Sequence, residues 1–574
     1  MSRRALLAVL AALAAAPAPA QAVQSTHLPV RSHDGAVLDG WVHLPDGTSA
    51  TSRVPIVLVI SPYWGNLTPS AADIDRATTE YSDPLRKTGI ALRSLVDRGY
   101  GVALYNMRGT GASGGCMDIF GPDEQRDSKV LVEAMADAPF STGRVATVGK
   151  SIPGFAALAA AATQARGLRA VIASSPVTDA YAITFTPQGA QHVNGEPNHP
   201  SRQALAPAPP VDTNPASAGG TAQSIATGSP GAVAGSVCPN AAEQLRNGLL
   251  GRTLGSHDER YWRDRRLLEA LSRASTPILL TSGFHDDLIW NFQEADWWEA
   301  LRGGPRRLVL SRDKHLWPTR AGFDGEVLAW LDHFLRDGPA PPSLGRVDFQ
   351  DRSGRWHETS SWPPAGTHDE LLLFSGEGLS DDPGGERRTF RAVRDVVSTS
   401  GVDDSFRSGD EPTICPTSAP GTSLSWLGAP VAERTLIAGH PYAVLSLASD
   451  LPAGVVEVSL YAQPAATCDA RGVRFLGLGT ADLRFHTGSW AARPFPVALP
   501  TTVRVDLPSM AEHLLPGERL LVVVNGGETP VPDPHVPQLT LHPGSRVTVP
   551  VAEGTFGGRR RPAIDPPRPH ALGR

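Results

Sequence analysis

The sequence predicts an α/β domain built on a mostly parallel sheet, followed by an all-β sandwich. Three observations carry this. Continuous apolar runs alternate with helix-like segments from about Leu28 to Gly338. Short alternating runs, separated by turn residues, take over from about Ser343. The 574 residues are 41% hydrophobic and 19% charged, enough apolar material for two filled cores. Apolar runs between helices fit strands covered on both faces, whereas alternation fits antiparallel strands with one face toward solvent.

In chain order, Val54–Ile60 reads as a buried strand, and Leu92–Arg98 as the end of a helix before the strand Tyr100–Tyr105. Helical spacing over Asp127–Ala138 precedes a strand at Val145–Val148 and a small-residue helix at Phe155–Ala165. Further strands are predicted at Leu168–Ala173, Pro277–Thr281 and Arg307–Leu310, and an amphipathic helix at Gly325–Arg336 closes the domain. The alternation breaks between about Phe185 and Leu268, where Gln188–Pro239 is rich in Pro, Gly, Ser and Ala. An insertion of that length reads as a cap over the sheet. After the linker Gly338–Pro342, strand-like runs recur at Glu370–Phe374, Tyr442–Ser446, Val456–Tyr461, Thr502–Asp506, Arg519–Val524 and Val547–Val551. The expected division is therefore an export signal at 1–22, an α/β domain at 23–338 with its cap at about 185–268, a sandwich at 343–556, and a basic, flexible tail at 557–574.

The signal rests on Arg3-Arg4, an Ala/Leu run to Ala16, and the small-x-small exit Ala20-Gln21-Ala22. The run is too short to span a bilayer, so cleavage near Ala22 and secretion are expected, by the general or the twin-arginine route. A net charge of −6 without a long basic run in the interior argues against a nucleic-acid partner. Four cysteines in an exported chain suggest two disulfides, and pairing Cys116 with Cys238 and Cys415 with Cys468 keeps each bridge within one domain. No Cys-x-x-Cys or His-Glu-x-x-His occurs, so no metal is expected.

The run Val145-Ala-Thr-Val-Gly-Lys-Ser-Ile-Pro-Gly154 is a strand that turns at once into a helix. A serine on such a turn has its hydroxyl pushed out of the sheet, near helix N-terminal amides that can hold a negative oxygen. The plainer alternative is that Ser151 caps the helix. A serine nucleophile needs a base, and the base needs an acid that fixes its tautomer. Asp286 follows the strand Pro277–Thr281, and His315 follows Arg307–Leu310. That order, serine then acid then histidine on loops after strands, is the one an α/β-hydrolase uses. Asp286 or Asp287 could instead cap the next helix; the register favours Asp286 as the acid and Asp287 as the cap.

With these residues the chain resembles the cocaine esterase, α-amino acid ester hydrolase and X-Pro dipeptidyl-peptidase family. The resemblance runs through Ser61-Pro-Tyr63, Asn106–Gly115, Gly149-Lys-Ser-Ile-Pro-Gly154, Gly283-Phe-His-Asp286, Ser311–His315 and Trp356–Pro364. It departs where Phe284 replaces the usual Trp, and where the Gly-Pro start of the histidine segment is missing. The resemblance implies an α/β-hydrolase domain with an inserted cap, then a jelly-roll sandwich. It implies acyl transfer from an ester or amide through Ser151, His315 and Asp286, with the Ile152 amide and the Tyr63 hydroxyl as the oxyanion hole and no cofactor. The expected substrate is a small ester, amide or short peptide. A dipeptidyl-peptidase would need carboxylates for the substrate amine; Asp258, Glu259 and Asp264 in the cap could serve, though a solvated helix face explains them as well. Arg108–Gly115 is a Gly-rich loop with an arginine, but it lacks a phosphate-binding loop's Lys-Ser/Thr ending and reads as a supporting turn. The rival from another class is an inert secreted protein whose sandwich binds carbohydrate.

Overall fold

The computed structural model describes residues 23–62, 74, 92–190, 238–241, 243, 260–286, 289, 292–376, 378–381, 385–393, 419–468, 472–488, 491–527 and 536–560. Its first sheet uses β1 (Val23–His27), β4 (Gly40–Pro45), β5 (Val54–Ser61), β6 (Gly101–Asn106), β7 (Ser141–Lys150), β8 (Leu168–Ser174), β9 (Ile278–Gly283), β10 (Arg306–Ser311), β11 (Val347–Gln350) and β12 (Trp356–Thr359). A small hairpin, β2 (Val30–Arg31) and β3 (Val37–Leu38), lies outside it. The strand order is β1-β4-β6-β5-β7-β8-β9-β10-β11-β12. From β6 through β11 every pairing is parallel, while β1, β4 and β12 pair antiparallel at the two ends.

Both faces of this sheet are covered, as its continuous apolar strands require. All of β6 is buried, and so is β5 beyond Val54. On one face Val57, Val59 and Leu104 pack with Leu95, Trp317, Trp330 and Leu331, from helices Leu92–Asp97 and Phe323–Arg336 and the loop between β10 and the latter. On the other, Ile56, Leu58 and Ala103 meet Leu131, Met135, Ala156 and Ala160, from helices Pro122–Asp137 and Ile152–Ala162. Two helices begin earlier than the apolar spacing indicates, because a proline opens each one. Pro122 and Pro153 occupy first-turn positions, where the missing amide forfeits no helical bond.

Among the described residues the second domain is a sheet-rich sandwich of fourteen strands, whose main apolar core includes Trp426, Ile437, Leu445, Val458, Val505, Val522 and Val549. The six strand-like runs read from the sequence all lie within its strands, such as Val455–Gln463 and Arg519–Gly526. Two features differ from expectation. Strands β11 and β12, beyond the expected linker, complete the first sheet instead of starting the sandwich. The parallel edge of β10 offers unpaired backbone groups, and β11 satisfies them. The tail also departs from the flexible reading at its start: Arg559–Arg560 pairs with Glu370 and Leu371. The Glu370 carboxylate accepts the Phe556 and Gly558 amides, at 2.8 and 3.2 Å, which leads the chain onto that edge.

The domains meet along the sandwich strands Thr435–Gly439 and Met510–Leu514. Leu436, Ala438 and Ala511 join the same apolar cluster as Phe284, Phe349 and Trp362. Trp362 Nε1 donates to Ser509 Oγ at 2.9 Å, and the Arg352 amide to the Ala511 carbonyl at 3.1 Å. The start of the expected cap also reaches the sandwich, where Gln188 Nε2 donates to Asp506 Oδ2 at 2.5 Å. Most of the cap, residues 191–237 and 244–259, lies outside the described residues.

Candidate active site

Strand β7 ends at Lys150, and the helix Ile152–Ala162 begins one residue later. Ser151 makes the turn alone, at φ 64° and ψ −124°. A side chain in this left-handed region is held there against its own preference, which calls for support from its surroundings. The support is visible: the Ser151 amide donates to Ser174 O at 2.9 Å, and the Ser151 carbonyl accepts the Phe155 amide at 3.0 Å. Ser151 forms no side-chain cap bond, so the capping alternative does not describe it. Gly149 makes the turn possible by close approach. A Cβ there would lie 2.1 Å from the Pro153 carbonyl oxygen.

The acid and histidine loops leave adjacent strands, with Gly283 of β9 in register with Ser311 of β10. The Phe284 amide donates to Ser311 O at 2.7 Å, and a Cβ on Gly283 would come within 2.0 Å of Asp313 O. Downstream, Asp313 accepts the Thr319 amide and hydroxyl at 2.9 and 2.6 Å, while Trp317 is buried in the core. These contacts present His315 toward Asp286, with Nδ1 and Oδ2 2.9 Å apart. A carboxylate only accepts, so Nδ1 carries the proton and Nε2 is left as the basic nitrogen.

The Asp286 side chain is fully buried. Burial raises its pKa, but the charge and hydrogen bond of His315 and the amide of Ile289 outweigh it and hold the carboxyl below the usual carboxylate range. Asp286 Oδ1 accepts the Ile289 amide at 2.9 Å, so this residue closes the following turn itself. Asp287, the expected cap, lies outside the described residues. One contact joins the serine turn to the histidine loop: Lys150 Nζ donates to the His315 carbonyl at 3.2 Å. The sequence offers no signal for it, because the two residues lie 165 positions apart.

The oxyanion candidates divide. Ile152 is the first residue of the elbow helix, where an amide has no intrahelical partner. Tyr63 lies outside the described residues. Of the cap carboxylates, Asp258 and Glu259 also lie outside them, and Asp264 pairs with Arg260 at 3.3 Å. Trp262, Trp297 and Trp298 are buried. Arg108 is buried too, with Nε 2.7 Å from Asp127 and Nη1 3.1 Å from Asp34. Its guanidinium is filled by carboxylates, which fits the supporting turn and leaves no room for phosphate. Among the described residues, His33, Asp34 and Asp123 bring three ligand-type atoms within 4.8 Å of one another. Arg108 and Arg126 already neutralise this exposed group.

The loop after β6 packs against the elbow helix. A disulfide joins Cys116 to Cys238, 122 residues apart. Cys468 is also disulfide-bonded, and Cys415, its expected partner, lies outside the described residues. Just after Cys116, Ile119 and Phe120 both have positive φ, at 51° and 65°. Phe120 meets Phe155 of the elbow helix edge to face, with centroids 4.9 Å apart. Arg265 spans the loop, donating to the Asp118 and Ile119 carbonyls at 2.9 and 3.1 Å. Beneath it Glu124 accepts the Ile119 amide at 3.0 Å. Burial, with Asp118 nearby, pushes the Glu124 carboxyl up to about 7.

Among known proteins, the family model described as X-Pro dipeptidyl-peptidase (S15 family) matches residues 34–317. The model of the X-Pro dipeptidyl-peptidase C-terminal non-catalytic domain matches residues 342–561. A Streptomyces avermitilis protein bearing the Xaa-Pro dipeptidyl-peptidase name is 24% identical over 621 residues, covering 94% of this chain and 87% of that protein. The Xaa-Pro dipeptidyl-peptidase of Lacticaseibacillus casei is 24% identical over 507 residues, covering 75% of this chain but only 59% of the relative. An aminopeptidase from a marine sediment Thaumarchaeota archaeon superposes with TM-score 0.67 at 18% identity, covering 92% of this chain and 97% of the other. An α-amino acid ester hydrolase gives 0.66 at 17%, covering 96% and 98%. At these identities the solved structures establish the fold: an α/β-hydrolase domain joined to a sheet-rich C-terminal domain.

Proposed function

The chain belongs to the X-Pro dipeptidyl-peptidase (S15) family of serine hydrolases, and from that premise we propose that it cleaves an ester or amide bond by acyl transfer through Ser151. The observation that carries the proposal is the left-handed turn at Ser151, tied through Lys150 to a loop whose histidine is held by a buried carboxylate. His315 takes the Ser151 proton as Oγ attacks the acyl carbon, then delivers it to the leaving oxygen or nitrogen. Asp286 keeps Nδ1 protonated and stabilises the cation formed at each proton transfer. The Ile152 amide and the Tyr63 hydroxyl hold the oxyanion. Water then attacks the acyl-enzyme by the same path in reverse, and the serine is restored.

The relatives' names make X-Pro anilides the first substrates to assay, beside short aryl esters. A small acyl group is the expectation if the insertion after Phe185 roofs the site, and assays of both substrate types decide between a donor with a free amine and one without. Export is part of the reading: the Arg3-Arg4 segment and the bridge between Cys116 and Cys238 both suit an oxidising compartment. Among the described residues no helix is long and apolar enough to cross a membrane.

The test is a fluorophosphonate probe with mapping of the labelled residue, run on wild type and Ser151→Ala. Wild type should label at Ser151, and the variant should lose more than about a thousandfold in kcat. Labelling elsewhere, or a variant still active above that level, refutes the proposal. An inert carbohydrate-binding protein would take up no label at all.

A further inference from the structure

Both loops of the proposed triad touch one carboxylate from the other domain. Glu512 stands on the sandwich strand Met510–Leu514, opposite Ile437, and its side chain is 6% exposed. Its Oε1 lies 3.8 Å from His285 Nε2, next in sequence to Asp286, and 3.9 Å from Arg312 Nη2, on the His315 loop. Its Oε2 lies 3.8 Å from Arg352 and accepts Arg474 Nη1 at 3.1 Å. Three of these four partners, His285, Arg312 and Arg352, come from the α/β domain, and His285 and Arg312 sit on the proposed catalytic loops. A second contact works the same way without charge. Phe284 packs on Trp362 with ring centroids 5.5 Å apart, and Trp362 is bonded to Ser509, three residues before Glu512.

We propose that Glu512 is a positioning residue for the catalytic triad: the sandwich holds the acid loop through His285 and the histidine loop through Arg312, fixing their spacing. The inference rests on the triad reading above. The physical reason is burial. A carboxylate out of water must keep its cations close, and those cations are anchored in loops whose relative placement decides whether Asp286 meets His315. Removing the charge leaves Arg312, Arg352 and Arg474 facing one another without their counter-charge and takes away the acceptor that His285 faces, so each loop relaxes independently. Displacements on the order of 1 Å in a catalytic constellation can cost up to about a hundredfold in rate.

Glu512→Gln keeps the shape and removes the charge. The measurement is kcat per active site, with sites counted by fluorophosphonate titration, together with KM and the thermal midpoint. Per-site kcat should fall about tenfold or more, with KM within about twofold of wild type. A merely structural role would lower the midpoint and the titratable fraction but leave kcat per site unchanged. Arg434→Met is the comparison, since it breaks another ion pair between the domains, with Asp351 at 2.8 Å, that touches neither loop. It should retain per-site kcat. A per-site kcat for Glu512→Gln within twofold of wild type overturns the proposal, and so does an equal loss in Arg434→Met. If Glu512→Gln does not fold, Arg312→Met reads the coupling from the other side, and an unchanged per-site kcat there is equally decisive. Wild type that fails to label at Ser151 removes the triad reading itself, a result distinct from unchanged kcat in a protein that labels.

Discussion

Asp286 offers Oδ2 to His315 and Oδ1 to the Ile289 amide, each at 2.9 Å. An amide in its place can still accept from Ile289, so the turn should survive Asp286→Asn, while the hold on the His315 tautomer is lost. The expected result is a kcat lower by about 10³–10⁴ at nearly unchanged thermal midpoint, read by steady-state kinetics and a melting curve on one preparation. A midpoint collapse with normal kcat per titrated site would assign Asp286 to the fold alone. Glu124 is the other residue with a pH signature. Its carboxyl is raised to about 7, so between about 4.5 and 7 the folded protein keeps a proton that the unfolded chain has released. Stability from this group is full below 4.5, falls as pH rises, and is gone above 7. Glu124→Gln should therefore raise the midpoint at pH 8 and flatten its decline across that window, an effect of up to about 3 kcal/mol. Parallel pH profiles in the two proteins would show that Glu124 does not titrate there.

At the scale of elements, two glycines hold the site together by being small. Neither Gly149 nor Gly283 adopts a positive φ, so alanine brings no backbone strain at either position. What it brings is collision: with the Pro153 carbonyl at 2.1 Å in the serine turn, and with the Asp313 carbonyl at 2.0 Å between the acid and histidine loops. Gly283→Ala should push the His315 loop away from Asp286 and lower kcat by about a hundredfold or more. Kinetics within fivefold of wild type would mean the loops can give way without disturbing the histidine. The Gly-x-Ser-x-x-Gly pattern made the serine turn legible as a motif, and apolar periodicity made β5, β6 and β8 legible as buried strands. Boundaries were harder. The apolar core of β7 shows in the sequence as Val145–Val148, and pairing of Ser141 with Val54 extends the strand back to Ser141. That pairing joins segments far apart in the chain, and a local pattern carries no trace of it.

For the molecule as a whole, the bridge between Cys116 and Cys238 closes a span of 122 residues that contains β7, the elbow helix and β8. Chain entropy assigns such a closure nominally about 4–5 kcal/mol, less whatever the native state loses in forming it. The double variant Cys116→Ser, Cys238→Ser should melt several degrees below wild type under non-reducing conditions. Wild type with added reductant should fall at least as far, because reductant also opens the bridge at Cys468. Identical midpoints in all three would show that the packing of Phe120 on Phe155 and the grip of Arg265 secure this loop by themselves.

The sequence alone determined the class of the fold, the order of the parallel strands' apolar runs, and the residues for a serine, acid and histidine in sequence order after three strands. Those features are local: a strand's apolar run, a turn's glycines and a reactive side chain's neighbours are written within a dozen residues. Tertiary structure decided what depends on distant segments meeting. It set β11 and β12 onto the first sheet, paired Arg559–Arg560 with the edge at Glu370, and laid Lys150 against the His315 carbonyl. It also placed Glu512 between the acid and histidine loops, more than 190 residues downstream of both. A buried carboxylate is recognised by the cations around it, and only folding gathers them.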